Sequence, residues 1–161
     1  VTPLPSSWTA AQWTTLSNQI NAMKPAGSTN QAIGLAHGWQ SLTTGSPYST
    51  PTVPANTTRY IILLSDGLNT QDRWYGNGRT ESNSADGSID TRMNLVCTAA
   101  KNDGVVIYTL FVDINGTDGN SVPLQNCASD STKYFDLTST SQIATAFASI
   151  AQQITNLRVS K

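Results

Sequence analysis

The most informative stretch of the chain is Arg59-Tyr60-Ile61-Ile62-Leu63-Leu64-Ser65-Asp66-Gly67. Five apolar residues run without a break, which is typical of a strand buried on both faces in a parallel sheet covered by helices. The run stops at Ser65-Asp66-Gly67, so a carboxylate lies at the carboxyl end of the predicted strand. Ligands of open α/β sheets bind at that end of the strands. The simpler alternative is that Asp66 only caps a turn.

The composition excludes several classes of function. The 161 residues are enough for one domain with a core, and the net charge of −1 comes without any basic patch. This argues against binding to nucleic acid or to an anionic membrane surface. No apolar run is long enough to span a bilayer. Ser and Thr number 40 and only 12% of residues are charged, a surface commoner in exported proteins than in cytosolic ones.

Cysteine and histidine usage narrows the chemistry further. Cys97 and Cys127 can form a disulfide in an oxidising compartment, with two buried free thiols as the alternative. His37 is the single histidine, which argues against a multi-histidine zinc site and leaves a histidine-based triad one possible base. The chain begins at Val1 without a signal peptide or an initiator Met, so we expect a processed chain or a fragment.

Hydrophobic periodicity and turn residues predict helices that alternate with three strands. The predicted order is helix, helix, strand, helix, strand, short helix, strand, helix. The helices centre on residues 10–23, 30–42, 89–103, 123–127 and 143–157, and the strands on 60–64, 105–112 and 134–137. Right-handed crossovers would make the strands parallel, with helices on both faces. Because one edge of the first strand would then be open and hydrophobic, we expect part of the sheet to be missing.

Two loops of this arrangement carry residues that offer oxygen ligands. Thr29 lies just before a predicted helix, and Asp66 lies at a strand end. A hard divalent cation such as Mg²⁺ takes oxygen ligands and keeps several waters, so few protein groups suffice. Thr29 is otherwise an ordinary helix N-cap candidate.

The sequence segments around these residues resemble those of a von Willebrand factor A (vWA) domain. They are Gly27-Ser28-Thr29-Asn30 and Leu63-Leu64-Ser65-Asp66-Gly67-Leu68-Asn69-Thr70. The fuller series is similar to the carboxyl-terminal part of the TadG-like proteins of bacterial Tad/Flp pilus assembly, and it runs from about Leu16 to the end. It adds Cys97, Lys101, Gly104-Val105-Val106-Ile107-Tyr108-Thr109, Asn126-Cys127-Ala128-Ser129 and Phe147-Ala148-Ser149-Ile150-Ala151.

The resemblance implies a fold and a metal site. The fold would be three-layer α/β, with a Rossmann-like, mostly parallel sheet flanked by helices, and residues 1–161 would form one vWA-like domain. A metal-ion-dependent adhesion site at the carboxyl edge would hold Mg²⁺ or Ca²⁺, with Thr29 and Asp66 matching the second and third metal loops. The Asp-x-Ser-x-Ser motif of the first loop is absent. We therefore expect an amino-terminally incomplete domain, a weak metal site and any membrane anchor upstream.

The function implied by the resemblance is a non-catalytic binding module of a pilus-assembly protein, in the periplasm or on the outer face of a bacterial cell envelope. The partner would be a pilus or envelope protein, contacted through the long polar loop 68–88 at Asn69 and Trp74. The first strand's open edge would pair with a second copy or with the missing amino-terminal half.

Two alternatives remain open at this point. One is a metal-free structural or interaction domain that keeps the fold without the site. The other is a hydrolase that uses Ser65 or Asp66, which the absence of a Gly-x-Ser-x-Gly elbow disfavours.

Overall fold

The structure is a computed structural model that describes residues 7–78, 88–114, 116 and 119–159. Its sheet has three parallel strands in the order β1 (Arg59–Ser65), β2 (Val105–Val112) and β3 (Tyr134–Leu137). The helices are α1 (Ala10–Asn21), α2 (Gln31–Ser41), α3 (Ser88–Asn102), α4 (Val122–Cys127) and α5 (Thr140–Val159). The element order and the parallel strands agree with the sequence prediction.

Helices cover both faces of the sheet. On one face, Ile107 and Phe111 of β2 pack with residues of α2, α3 and α4. On the other face, Tyr108 and Leu110 pack against α5, in which Ile150 is buried. The prediction of helices on both faces is therefore confirmed, and the α/β layering follows from the alternation of side chains along β2.

The structure corrects the prediction that β1 is buried on both faces. Ile61 and Leu63 pack against the core, but Ile62 is 38% exposed and Leu64 is 43% exposed. The reason is tertiary: α5 packs on β2 and β3, while β1 lies at the side of the sheet and pairs only with β2 among the described strands. Within the described ranges, the other edge of β1 pairs with no strand, as the sequence predicted.

The first helix forms where the sequence predicts it, but its apolar stripe lies outside the core. Thr9 and Gln12 make a capping box, and the rings of Trp8 and Trp13 stack at 4.6 Å between centroids. No residue of α1 is buried, and the Trp13 side chain is 57% exposed.

A glycine ends α3, and a disulfide links this helix to α4. Gly104 ends α3 with a φ of 78°, a left-handed conformation that glycine adopts without strain. Cys97 of α3 and Cys127 of α4 form a disulfide within the core.

No helix in the described ranges is both long enough and apolar enough to cross a membrane.

Candidate metal and binding site

Two loops meet at the carboxyl end of β1. The backbone N–H of Thr29 donates to the Thr70 hydroxyl at 2.8 Å, and the N–H of Thr70 donates to the carbonyl oxygen of Thr29 at 2.9 Å. These reciprocal bonds join the loop before α2 to the loop after β1. They bring the loops that carry Thr29 and Asp66 to the same edge of the sheet.

A buried glutamine holds the same two loops from beneath. Gln31 is 5% exposed, and its side-chain amide donates to the Ser65 hydroxyl at 2.9 Å and to the Gly67 carbonyl at 2.7 Å. Its side-chain oxygen has no hydrogen-bond partner among the described residues. Sequence analysis missed Gln31, although a glutamine in the first turn of a helix that enters the sheet edge was a usable signal.

Asn69 is placed differently from the expectation that it contacts a partner. Its side chain is 3% exposed, accepts the backbone N–H of Gln31 at 2.8 Å and donates to Asp90 at 2.8 Å. The amide turns inward because the first turn of α2 presents an N–H that needs an acceptor once it is buried. Asn69 therefore supports the loop from inside and offers a partner little surface.

Thr29 and Asp66 are the site residues whose side chains remain available to bind a ligand. Thr29 is half-buried and Asp66 is exposed. In the described part of the chain, neither the Thr29 hydroxyl nor the Asp66 carboxylate makes a hydrogen bond or an ion pair. The same ranges contain no group of three His, Cys, Asp or Glu side chains that could hold a metal. The residues present thus fit part of the oxygen shell of a hard cation, and water or other donors must supply the rest.

The exposed Trp74 lies on a braced segment beside this edge. Asp72 accepts the backbone N–H groups of Trp74 and Tyr75, both at 2.7 Å, and forms an ion pair with Arg92 of α3. Burial opposes ionisation of Asp72, but the two N–H donors and Arg92 outweigh it and hold the pKa of this carboxyl below its usual value. The Arg92 guanidinium lies 4.7 Å from the Trp74 ring centroid and 5.0 Å from that of Tyr75.

Two glycines let this segment return to the site. Gly76 and Gly78 both have positive φ, and a Cβ atom at either position would collide, with the Thr70 carbonyl in one case and the Ser28 hydroxyl in the other. The sequence predicted a functional loop over 68–88, and residues 79–87 of it lie outside the described residues.

The arrangement of strands and helices matches two solved structures of proximal thread matrix protein 1 from the mussel byssus, a vWA-domain protein. The TM-scores are 0.54 and 0.55, and each match covers 88% of this chain. This chain has a vWA-like fold. The sequence identities are 18% and 20%, and the chain spans 28% of the length of these neighbours. One of the two was solved with zinc in its metal-ion-dependent adhesion site.

These findings settle the fold-level part of the resemblance. The vWA-like fold agrees with the sequence prediction, while the likeness to TadG-like pilus-assembly proteins stays a prediction. No protein-family model and no curated protein sequence matches this chain.

Proposed function

We propose that this chain is part of a non-catalytic adhesion or interaction module that binds a protein through the carboxyl edge of its vWA-like sheet. One observation carries the proposal. Two loops are clamped together by buried hydrogen bonds, yet the Thr29 hydroxyl and the Asp66 carboxylate at that edge have no partner among the described residues. Unengaged polar groups on a rigid support favour binding over a purely structural role.

A divalent cation fits this edge as a cofactor. Thr29 and Asp66 would hold it, and Mg²⁺ or Ca²⁺ suits their oxygen donors, while a neighbour of the same fold takes zinc at its adhesion site. When bound, the ion would supply open coordination positions for a carboxylate of the partner. The chain's own contribution is to position the two ligands through Thr70 and Gln31. With a single carboxylate, we expect weak affinity.

The geometry around Ser65 supports a non-catalytic role. Ser65 is 8% exposed, and its hydroxyl donates to the Gly67 carbonyl at 2.8 Å. His37 contacts the Tyr48 hydroxyl and lies six residues beyond Gln31 on α2, or about 9 Å along a helix axis. The single histidine is thus far from the buried serine, so we expect no hydrolase activity.

The finer proposal is a TadG-like protein of the bacterial cell envelope, with the module in the periplasm or outside the cell. The ordered series of matching residues motivates it. The Cys97–Cys127 disulfide supports an oxidising compartment, as does the hydroxyl-rich surface. The expected partner is a pilus or envelope protein.

A thermal-shift titration tests the metal. For a dissociation constant of about 3 mM, about 10 mM MgCl2 stabilises the fold by about 0.9 kcal/mol, or roughly 2–3 °C in melting temperature. Asp66→Ala and Thr29→Ala should abolish the rise, whereas Asp136→Ala, an exposed carboxylate on β3, should keep it. Mn²⁺ should also broaden the amide signals next to Thr29 and Asp66. If neither effect occurs, the metal claim fails.

A metal-free interaction domain is the second candidate, and the open strand edge favours it. The exposed Ile62 and Leu64 and the free backbone of β1 suit pairing with another strand. The strand would come from a second copy of the chain or from a separate amino-terminal segment. Analytical ultracentrifugation distinguishes these sources, because only the first predicts a dimer of this chain alone that Leu64→Lys dissociates.

A further inference from the structure

A groove of about 430 Å³ lies between α2 and α3, beside the edge that carries Thr29. Its volume is in the range of ligand and side-chain pockets. Ile89, which is buried, lines the groove together with Ile33 and Leu95, which are 56% and 64% exposed. Trp74 also lines the groove and is 67% exposed. Large apolar side chains thus meet on one concave surface. Single exposed apolar residues are normal on protein surfaces, but a contiguous apolar patch of this kind marks an interaction site.

The polar groups at the rim carry an excess of donors. Asp72 is already neutralised by Arg92. Arg73 stacks at 5.6 Å from the Trp74 ring centroid and has no carboxylate partner within the described ranges. The indole N–H of Trp74 also makes no hydrogen bond there. A guanidinium and an N–H donor at one end of an apolar groove complement a carboxylate.

The part of the groove around Trp74 is held by contacts within the chain before any partner binds. The Asp72 carboxylate binds the Trp74 backbone, and Arg92 lies against the indole and pairs with the same carboxylate. The Trp74 backbone and the Arg92 guanidinium are therefore held before binding, which lowers the cost of ordering them. Trp and Arg are the residue types that most often dominate protein interfaces.

We propose that this groove is a docking site for a partner-protein segment in which an apolar side chain is flanked by Glu or Asp. The apolar side chain enters between Ile33 and Leu95, and the flanking carboxylate pairs with Arg73 and the Trp74 indole N–H. The site adjoins the proposed metal edge through Asn30, which lines the groove next to Thr29. It needs no cation, so it goes beyond the proposed function and can succeed or fail separately.

The test uses a capped peptide, Gly-Glu-Leu-Phe-Glu-Gly, added to the isotope-labelled chain in EDTA and followed by NMR. We expect the indole signal of Trp74 and the amide signal of Leu95 to move with a dissociation constant of about 0.1–1 mM. A peptide with Gln in place of Glu should bind about threefold to fivefold more weakly. A peptide with Ala in place of Leu and Phe should show no binding.

Variants assign the binding to the groove. Trp74→Ala should weaken binding about tenfold or more, and Arg73→Ala about threefold to fivefold at low salt. Leu95→Ser changes a second lining residue, on α3, and should also weaken binding. Trp13→Ala removes another exposed indole, on α1, and should leave binding unchanged. Asp66→Ala should also leave it unchanged, which separates this site from the metal edge.

Three results would overturn the proposal. The first is no signal change at peptide concentrations of about 5 mM, which would place any affinity below that of a functional docking site. The second is equal binding of a peptide with Lys in place of Glu. The third is a set of nuclear Overhauser contacts between the Trp74 ring and residues 79–87 in the free chain, which would show that the chain's own segment fills the groove.

Discussion

Replacing Asn69 by Ala should remove the hydrogen bonds of Asn69 with Gln31 and Asp90, which form a clamp between the two site loops. Asn69 is 3% exposed and makes hydrogen bonds with the backbone of Gln31 and the carboxylate of Asp90, both at 2.8 Å. The substitution leaves the Gln31 N–H buried without its acceptor and deprives Asp90 of a donor. An unsatisfied buried donor costs about 1–3 kcal/mol and the lost bond to a charged group adds to it, so we expect a loss of about 2–4 kcal/mol.

The assay is urea unfolding followed by circular dichroism. With a slope of about 2 kcal/mol/M, the transition midpoint of Asn69→Ala should fall by about 1–2 M. Asn69→Asp keeps the acceptor for Gln31 but faces Asp90 with a like charge, so it should lose less near pH 4 than at pH 7. The control is Asn120→Ala, an exposed loop asparagine whose loss should stay within about 0.5 kcal/mol. Equal midpoints for the Asn69 and Asn120 variants would refute the account of the clamp.

Three further predictions concern stability. Hydrogen bonds from Lys133 and Thr132 lower the pKa of Asp130 to about 2. Because the folded state favours the ionised carboxylate, its contribution to the free energy of unfolding is complete above about pH 4 and is lost as the pH falls towards 2. Asp130→Asn should remove that pH dependence and about 0.5–1 kcal/mol at pH 7, as pH-dependent melts will show. Reduction of the disulfide, whose cysteines are 30 residues apart, should cost about 3–4 kcal/mol in urea unfolding with and without reductant. Leu64→Ser should lower the free energy of unfolding of the isolated chain by less than about 0.5 kcal/mol, whereas Leu110→Ala should lower it by about 2–5 kcal/mol. A large loss for Leu64→Ser would mean that its face of the sheet is covered.

The sequence predicted most of the secondary structure because the deciding signals are local. The capping box at Thr9, the helix-ending Gly104 and the apolar run of β2 each act within a few residues. The vWA resemblance, and not the strand order, implied that Thr29 belongs to the same edge as Asp66, because Asp66 follows a strand whereas Thr29 precedes a helix.

The sequence could not identify the residues that shape the site. Gln31 matters through bonds to Ser65 and Gly67, more than thirty residues away, and Arg92 matters through Asp72 and Trp74, twenty and eighteen residues away. No periodicity or motif encodes such pairs. Asn69 was assigned to a partner surface because polarity alone does not reveal whether an amide points outward or inward.

By itself, then, the sequence determined the element types, their order and the parallel direction of the strands, since these depend on propensity, capping and crossover handedness. Only the tertiary structure decided which apolar residues are buried. The run of β1 is as hydrophobic as that of β2, yet Ile62 and Leu64 remain exposed because α5 packs on the other two strands. Burial depends on what lies across from a side chain, and that is a property of the assembled layers.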